Sequence, residues 1–476
     1  MKKGDIRKFE IEGYAYEGKG ISKISDEENT EKKFVVFVNG SYPGDTVEAQ
    51  IIKKKKSYAD AKTLNVITKS DKRTEPVCSY FGTCGGCKQQ DLKYSEQLYY
   101  KQEQVKDIFQ RIGGFQHLVM EPIVASENII YYRNKLEFSF ADRRWLTKAE
   151  IGDDASINDR NFALGFHIPR IFDKVLDIHE CFLQSKISND ILNFTREFFK
   201  NRETPIYSTK THEGYLRNLV IKQSQHANDL MVNLVTSDEN DDLMKQYSSE
   251  LQNRFPEIST IINNINQKKS QVAIGDYEKI FFGSGLINDH IGKYKFQISA
   301  NSFFQTNTVQ AENLYNTALE YAEIKENDIV YDLYAGAGTI SIYMSDKAKH
   351  VYAFESVEPA VRDAQKNNEL NSVKNVSYFL ADLNKSFLPI LSHFKIPKPN
   401  IIILDPPRSG MNPKTVKDLL SLKPEKIVYV SCNPATQARD IQLLCENEYE
   451  LIKIKPVDMF PHTFHIENVA SLRLKK

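Results

Sequence analysis

The chain has 476 residues, 41% hydrophobic and 26% charged, which suits a soluble-type composition spread over about two to four globular domains. Lys plus Arg equals Asp plus Glu at 63 each, so no global basic field marks a nucleic-acid partner; such contacts would rest on local patches such as the lysine run 53–56, Arg143 with Arg144, and Lys268 with Lys269. The start, MKKGDIRKFEIEG, lacks an apolar core of signal-peptide length and no later stretch could span a bilayer, so a cytoplasmic protein is expected, with its six cysteines serving metal binding or catalysis rather than disulfides.

Residues 1–66 read as a small β module. Short alternating segments such as KFVVFV (33–38) and TVEAQII (46–52) are separated by turns at Gly40, Pro43 and Gly44. Closely spaced strands of this kind predict an OB-like barrel, a scaffold that binds oligonucleotides. The stretch FVFVNGSYPGDTVEAQIIKKKKSYADAKTLNVITKS resembles the TRAM domain, an RNA-binding barrel appended to RNA-modifying enzymes.

CSYFGTCGGCKQQ (78–90) follows, with Cys78, Cys84 and Cys87 spaced C-x5-C-x2-C and a Gly-Gly pair that lets the backbone fold around a metal. A fourth thiolate is needed to close an all-cysteine site, and Cys181 in DIHECFLQ is the sensible donor, since Cys432 and Cys445 lie far along the chain. Structural zinc and an iron–sulfur cluster both accept four thiolates, and His179 could replace Cys181 on zinc, so spacing alone leaves the metal open. A radical enzyme would use three cysteines at another spacing, and the cluster therefore reads as structural.

The segment DLKYSEQLYYKQEQVKDIFQRIGG predicts an amphipathic helix closed by Gly113 and Gly114. Residues from about 120 to 295 mix strands, loops and helices without an order legible from periodicity. From about 296 strands alternate with helices, which predicts a parallel α/β sheet. In ENDIVYDLYAGAGTISIYMS (326–345) a buried strand ends at Asp332, a turn carries Gly336 and Gly338, and a helix begins near Thr339. The next strand, HVYAFE, ends in Glu355, an acid placed to take two ribose hydroxyls; VSYFLAD puts Asp382 near an adenine amino group, and IIILDPPRSG puts Asp405 at the following strand end. With no third glycine and no phosphate-binding lysine, the pattern favours S-adenosylmethionine over a dinucleotide.

IVYVSCNP (427–434) predicts a fifth buried strand that releases Cys432 into a loop stopped by Pro434. Near the end stands FPHTFHIENVASL (460–472), with Glu467. Carbon 5 of uracil is too poor a nucleophile to attack a sulfonium methyl, but a thiolate added at carbon 6 activates it. A base must then remove the carbon-5 proton so that the thiolate can leave. Cys432 and Glu467 supply that pair, and the target must leave its stack to meet them, which predicts single-stranded or loop RNA.

C-x5-C-x2-C with Cys181, SANSFFQTN, DLYAGAG, LDPPR, SCNP and HIEN together resemble the bacterial RNA uracil-C5 methyltransferases over nearly the whole chain. The resemblance implies Cys432 as nucleophile and Glu467 as base. It implies S-adenosyl-L-methionine contacts at Gln305, Tyr334, Glu355 and Asp405, with Thr339 and Asp382 matching less closely, and a 4Fe–4S cluster on Cys78, Cys84, Cys87 and Cys181, with zinc as the alternative metal. Ala335 departs from the cysteine that often follows DLY in such enzymes. The fold expected is multidomain α/β: an OB-like TRAM barrel at 1–66, a central α+β RNA-binding region with the cysteine cluster at 67–295, whose helix 91–114 is a candidate to pack on the catalytic domain, and a Rossmann-like methyltransferase at 296–476. RNA is the expected partner, 23S ribosomal RNA favoured over transfer RNA, with neither a membrane nor an obligate protein partner. Rival readings are a base-amine N-methyltransferase, which needs no cysteine and usually places an aromatic where Arg408 stands, and a non-catalytic RNA-binding iron–sulfur protein, which needs neither SCNP nor HIEN.

Overall fold

The structure, a computed structural model, describes residues 1–25, 33–151, 160–169, 171, 173–269 and 272–476. At the N-terminus β1 (Ile6–Glu10), β2 (Gly13–Ala15), β3 (Lys19–Ser25), β4 (Lys33–Asn39), β5 (Thr46–Lys54) and β6 (Tyr58–Thr68) form one sheet in the order β1-β5-β6-β4-β3-β2. Its inward positions, among them Phe9, Val36, Val38, Val47 and Ile51, make a small separate core. The lysines of the run 53–56, at the end of β5 and in the turn after it, are all exposed.

Helix α1 (Tyr94–Arg111) follows. Its buried stripe recurs every three or four residues, as an amphipathic helix requires, but carries Gln97, Lys101 and Gln104 as well as Tyr100, Val105, Ile108 and Phe109. The apolar half packs on the C-terminal part of the chain, where Val105, Ile108 and Phe109 share a core with the last helix and sheet.

The central region contains β7 (Lys135–Ala141), α2 (Lys148–Ile151), β8 (Ala163–His167), β9 (Val175–Asp177), α3 (Lys186–Lys200), β10 (Leu216–Gln223), β11 (Leu230–Thr236), α4 (Asp241–Arg254), β12 (Thr260–Ile265) and β13 (Tyr277–Phe282). Its seven strands run β13-β12-β11-β10-β7-β8-β9, with β11 and β12 parallel and the other neighbours antiparallel. A hairpin of β14 (Leu286–Ile291) and β15 (Tyr294–Ser299) leads onward, and its inward residues Ile287, Ile291, Phe296 and Ile298 belong to the core of the C-terminal part.

That part begins with α5 (Thr308–Ala322), capped by Asn307, whose side chain accepts from Gln310 N at 3.2 Å. It continues through β16 (Ile329–Leu333), α6 (Thr339–Met344), β17 (His350–Glu355), α7 (Glu358–Leu370), β18 (Val376–Leu380), α8 (Leu388–His393) and β19 (Ile401–Leu404). The chain closes with α9 (Pro413–Leu422), β20 (Lys426–Ser431), α10 (Pro434–Asn447), β21 (Tyr449–Val457) and β22 (Glu467–Leu474). The sheet order is β18-β17-β16-β19-β20-β22-β21, parallel from β18 through β20. The strand order reverses between β16 and β19, and in open α/β sheets such a crevice at the carboxyl edge receives the ligand. The last two strands are antiparallel, and that reversal matters for the site. It brings the start of β22 beside the end of β20, with Ser431 opposite Asn468.

Candidate active site

One residue past the Ser431–Asn468 pair, the two strands present Cys432 and Glu467 to the same cleft. β20 is buried along Ile427–Ser431, then Pro434 starts α10 and forces the chain to turn, so Cys432 stands at the corner, half-buried. Asn433 caps α10 by accepting from Ala435 N at 3.1 Å and gives its Nδ2 to Arg408 O at 2.9 Å. The SCNP turn is thereby tied to the DPPR loop. Gln437 locks the two strands together: its Nε2 donates to Tyr429 O at 2.7 Å and Asn468 O at 3.1 Å, while its Oε1 accepts from Asn468 Nδ2 at 2.8 Å.

The cleft encloses about 1070 Å³, enough for a nucleoside-sized cofactor and an extruded base side by side. Its walls carry Gln305, Tyr334, Thr339, Glu355, Asp405, Arg408, Cys432, Phe460 and Glu467. Of the expected residues, Asp382 alone is not brought to the wall. Its carboxylate is exposed, accepts from Asn384 N at 3.0 Å and pairs with Lys385 at 3.2 Å, while the next residues, Leu383 and Asn384, line the cleft. Asp332, the first acidic strand end, is buried beneath the glycine turn and accepts from the Ser341 hydroxyl.

The glycine turn is shaped by Glu355. One carboxylate oxygen accepts from Gly336 N at 2.9 Å, and the other accepts from Ser356 N at 2.7 Å and Val357 N at 2.8 Å. Gly338 has φ of +77°, and a Cβ there would sit 2.4 Å from the Tyr378 hydroxyl, so only glycine fits. Tyr334 bears the same left-handed backbone at φ +68° without being glycine, a strained conformation of the kind held at ligand sites. Thr339 Oγ1 lies 2.9 Å from the Tyr315 hydroxyl, and Gln305 O accepts from Asn134 Nδ2 at 2.7 Å, which links the cleft wall to the central region.

Charge in the cleft is balanced among four groups. Burial, together with the nearby carboxylates of Glu467 and Asp405, pushes the Cys432 thiol up to about 11, while the Arg408 guanidinium, within hydrogen-bonding reach, pulls it down. Asp405 is raised by burial to about 7. Glu467, 6% exposed, is raised well above the usual carboxylate range by burial and by Asp405, and lowered by Arg408. Arg408 Nη2 in turn lies 3.2 Å from His465 Nδ1. Burial and Arg408 lower His465 to about 4, so its neutral ring accepts from the guanidinium. Arg408 and Phe460 are site residues that reasoning from strand ends did not single out, although both lie in the quoted LDPPR and FPHTFHIEN stretches. Tyr16, just past β2, packs on the C-terminal core and lies within electrostatic reach of Arg408, Cys432 and Glu467. No local signal marks it.

The four cysteines of the second cluster come together from two segments. Cys181 is buried, and its thiol lies within electrostatic reach of Cys87, Cys84 and Cys78. Gln90 Nε2 donates to Cys87 Sγ at 3.3 Å, and Gly86 N donates to Cys84 Sγ at 3.4 Å. Among the described residues no three His, Cys, Asp or Glu side chains stand close enough to hold a single metal ion. His179, the alternative donor, turns away to Asn193 Oδ1 at 3.0 Å. Cys445 packs half-buried on α10.

The family model described as tRNA (uracil-5-)-methyltransferase matches residues 220–475, and the TRAM domain model matches residues 2–64. An uncharacterized RNA methyltransferase of Chlorobaculum tepidum is 43% identical over 98% of this chain and 96% of its own length. A second from Bacteroides thetaiotaomicron is 42% identical over 97% of this chain and 100% of its own. Among solved structures, the Pyrococcus abyssi tRNA (uracil-54, C5)-methyltransferase in complex with S-adenosyl-L-homocysteine superposes with a TM-score of 0.75 at 30% identity, covering 98% of this chain and 100% of that one. No helix among the described residues is long and apolar enough to cross a membrane. The chain belongs to the tRNA (uracil-5-)-methyltransferase family: it is an S-adenosylmethionine-dependent RNA methyltransferase with an N-terminal TRAM domain.

Proposed function

We propose that the protein methylates carbon 5 of a uridine in RNA, with Cys432 as nucleophile and Glu467 as base. The observation that carries this reading is the antiparallel register that brings these two side chains to one cleft, with Arg408 and Asp405 within electrostatic reach of the thiol. A bound S-adenosylmethionine supplies the methyl group as a sulfonium electrophile. Arg408 stabilises the Cys432 thiolate as it adds to carbon 6, and electron density moves to carbon 5. After carbon 5 takes the methyl group, Glu467 accepts the carbon-5 proton, the carbon 5–carbon 6 double bond re-forms, and the thiolate leaves. Uridine becomes 5-methyluridine, and one proton is released overall.

The raised proton affinity of the Asp405–Glu467 pair fits its timing. A cationic ligand in the cleft holds both carboxyls ionised. Transfer of the methyl group removes that positive charge, and Glu467 becomes a stronger base at the step that needs one. Gln305, Tyr334, Thr339 and Glu355 would hold the cofactor. The four cysteines would hold a 4Fe–4S cluster, which takes four thiolates, and the N–H donors on the Cys84 and Cys87 sulfurs suit thiolate charge.

For the substrate we favour 23S ribosomal RNA, on the joint presence of a TRAM domain and the cysteine set. The second reading is transfer RNA, favoured by the solved transfer-RNA enzyme that aligns across 98% of this chain. Mapping 5-methyluridine in both RNA classes from cells lacking this protein separates them. A missing site in 23S RNA supports the first reading, and a missing site only in transfer RNA supports the second.

A further inference from the structure

Four consecutive carbonyls in the loop joining β21 to β22 are each taken by a different part of the molecule. Met459 O accepts from Asn307 Nδ2 at 3.1 Å, Phe460 O from Lys101 Nζ at 3.1 Å, and Pro461 O from the Tyr132 hydroxyl at 3.1 Å. His462 O accepts from the backbone N–H groups of Lys88 and Gln89 at 2.8 and 3.0 Å, in the segment that carries Cys87. His462 N donates to Gln97 Oε1 at 2.8 Å, and Gln97 Nε2 lies 3.2 Å from His462 Nδ1. At the root of the loop, Lys101 Nζ pairs with Asp458 at 2.6 Å, with 1% and 0% of the two side chains exposed. The Tyr94 hydroxyl donates to the other Asp458 oxygen at 2.9 Å.

Loops ordinarily give their backbone groups to water. This one is fastened instead, and its fasteners come from α1, the cysteine segment, the central region and the cap of α5. A buried ion pair repays little of its desolvation cost as stability, so Lys101 and Asp458 call for another explanation. The loop ends at Glu467, which forms the closing pair of the hairpin opposite Val457. Cys432 is carried separately, on the turn from β20 to α10, and the Arg408 carbonyl is anchored by Asn433 Nδ2 and Thr436 Oγ1, although its guanidinium also meets His465 of the loop at 3.2 Å.

We propose that Lys101 and Gln97 of α1 are positioning residues for Glu467, acting through the loop 458–466. This rests on the catalytic scheme proposed above. It makes α1, far from the reacting groups in sequence, a determinant of the proton-removal step more than of the addition step, which the loop reaches only through the His465–Arg408 contact.

The test uses two full-length variants: Lys101→Met with Asp458→Asn, which removes both buried charges together, and Gln97→Met, which leaves that ion pair in place and removes the His462 contacts along with those from Gln97 Nε2 to Gln89 O and Leu92 O. Each is mixed in a single turnover with substrate RNA and methyl-labelled cofactor, and the labelled protein–RNA adduct is separated from free labelled RNA on a denaturing gel. The expected result is a methylated adduct about tenfold more abundant at its peak than in wild type, with cofactor affinity within about twofold, because part of a general base's contribution is lost. Should the double variant not fold, Gln97→Met decides. Adduct and product falling together, or an unchanged time course in a folded variant, overturns the role of α1. Wild-type protein that forms no adduct with 5-fluorouridine RNA would instead overturn the catalytic scheme on which the inference rests.

Discussion

Cofactor affinity should depend on pH in a way the two buried carboxyls dictate. Asp405 is raised to about 7 by burial and stands near Glu467, which is itself raised well above the usual carboxylate range, so near neutrality the cleft without a cation holds Asp405 about half protonated. A sulfonium cation binds best when Asp405 is ionised. Raising the pH through 7 therefore strengthens binding, and lowering it weakens binding by up to about tenfold per unit, or roughly fiftyfold between pH 7 and pH 5. At pH 7, binding should release at least about half a proton, the share of Asp405, with any protonated Glu467 adding to it, readable by titration calorimetry in two buffers of different ionisation heat. S-adenosylhomocysteine, which lacks the positive charge, should show a much flatter profile, and Asp405→Asn should flatten the profile of the cationic ligand. Equal affinity for S-adenosylmethionine from pH 5 to pH 8, with no proton released, would show that the Asp405 carboxyl does not sense the cofactor charge.

Other expectations address separate parts of the site. Glu355→Ala removes the acceptor of Gly336 N and, in the proposed role, a ribose partner, so it should weaken S-adenosylmethionine binding by about 1–3 kcal/mol; unchanged affinity by calorimetry removes Glu355 from the site. Arg408→Met takes away the group that lowers the Cys432 thiol, and the rising limb of adduct formation should move to higher pH by about one unit; an unmoved limb means the thiolate is stabilised elsewhere. Anaerobically purified protein should be brown with about four irons per chain, whereas colourless protein with stoichiometric zinc replaces the cluster assignment. Cys181→Ser should cost folding or RNA affinity more than methyl chemistry, as measured by thermal melting and RNA binding against single-turnover rate.

How much of this could be read from the chain depended on distance along it. The SCNP corner, the glycine turn and Glu355 lie within short continuous segments whose periodicity and turn residues are local signals, and the structure puts them at one sheet edge. Asp382 shows the limit of strand-end reasoning. Its strand and position were legible, but the direction of the side chain was set by Asn384 N and Lys385, and its neighbours face the cleft instead. The central sheet was not legible, because its order depends on pairings such as β10 with β7 that no turn signal announces. Arg408 and His465 meet across 57 residues and Gln97 and His462 across 365, so neither contact leaves a periodic trace. The polar face of α1 is the instructive case. Gln97 and Lys101 look like solvated helix positions until the loop 458–466 is seen to cover them.

The central claim, that Cys432 acts before methyl transfer and Glu467 after it, is tested most directly by a denaturing gel of Glu467→Gln protein reacted with substrate RNA and methyl-labelled cofactor, beside Cys432→Ala. Glu467→Gln should give a slow-migrating protein–RNA adduct that already carries the label and does not resolve, while Cys432→Ala should give neither adduct nor labelled RNA. Normal turnover by Glu467→Gln, or carbon-5 methylation by Cys432→Ala, would contradict the account.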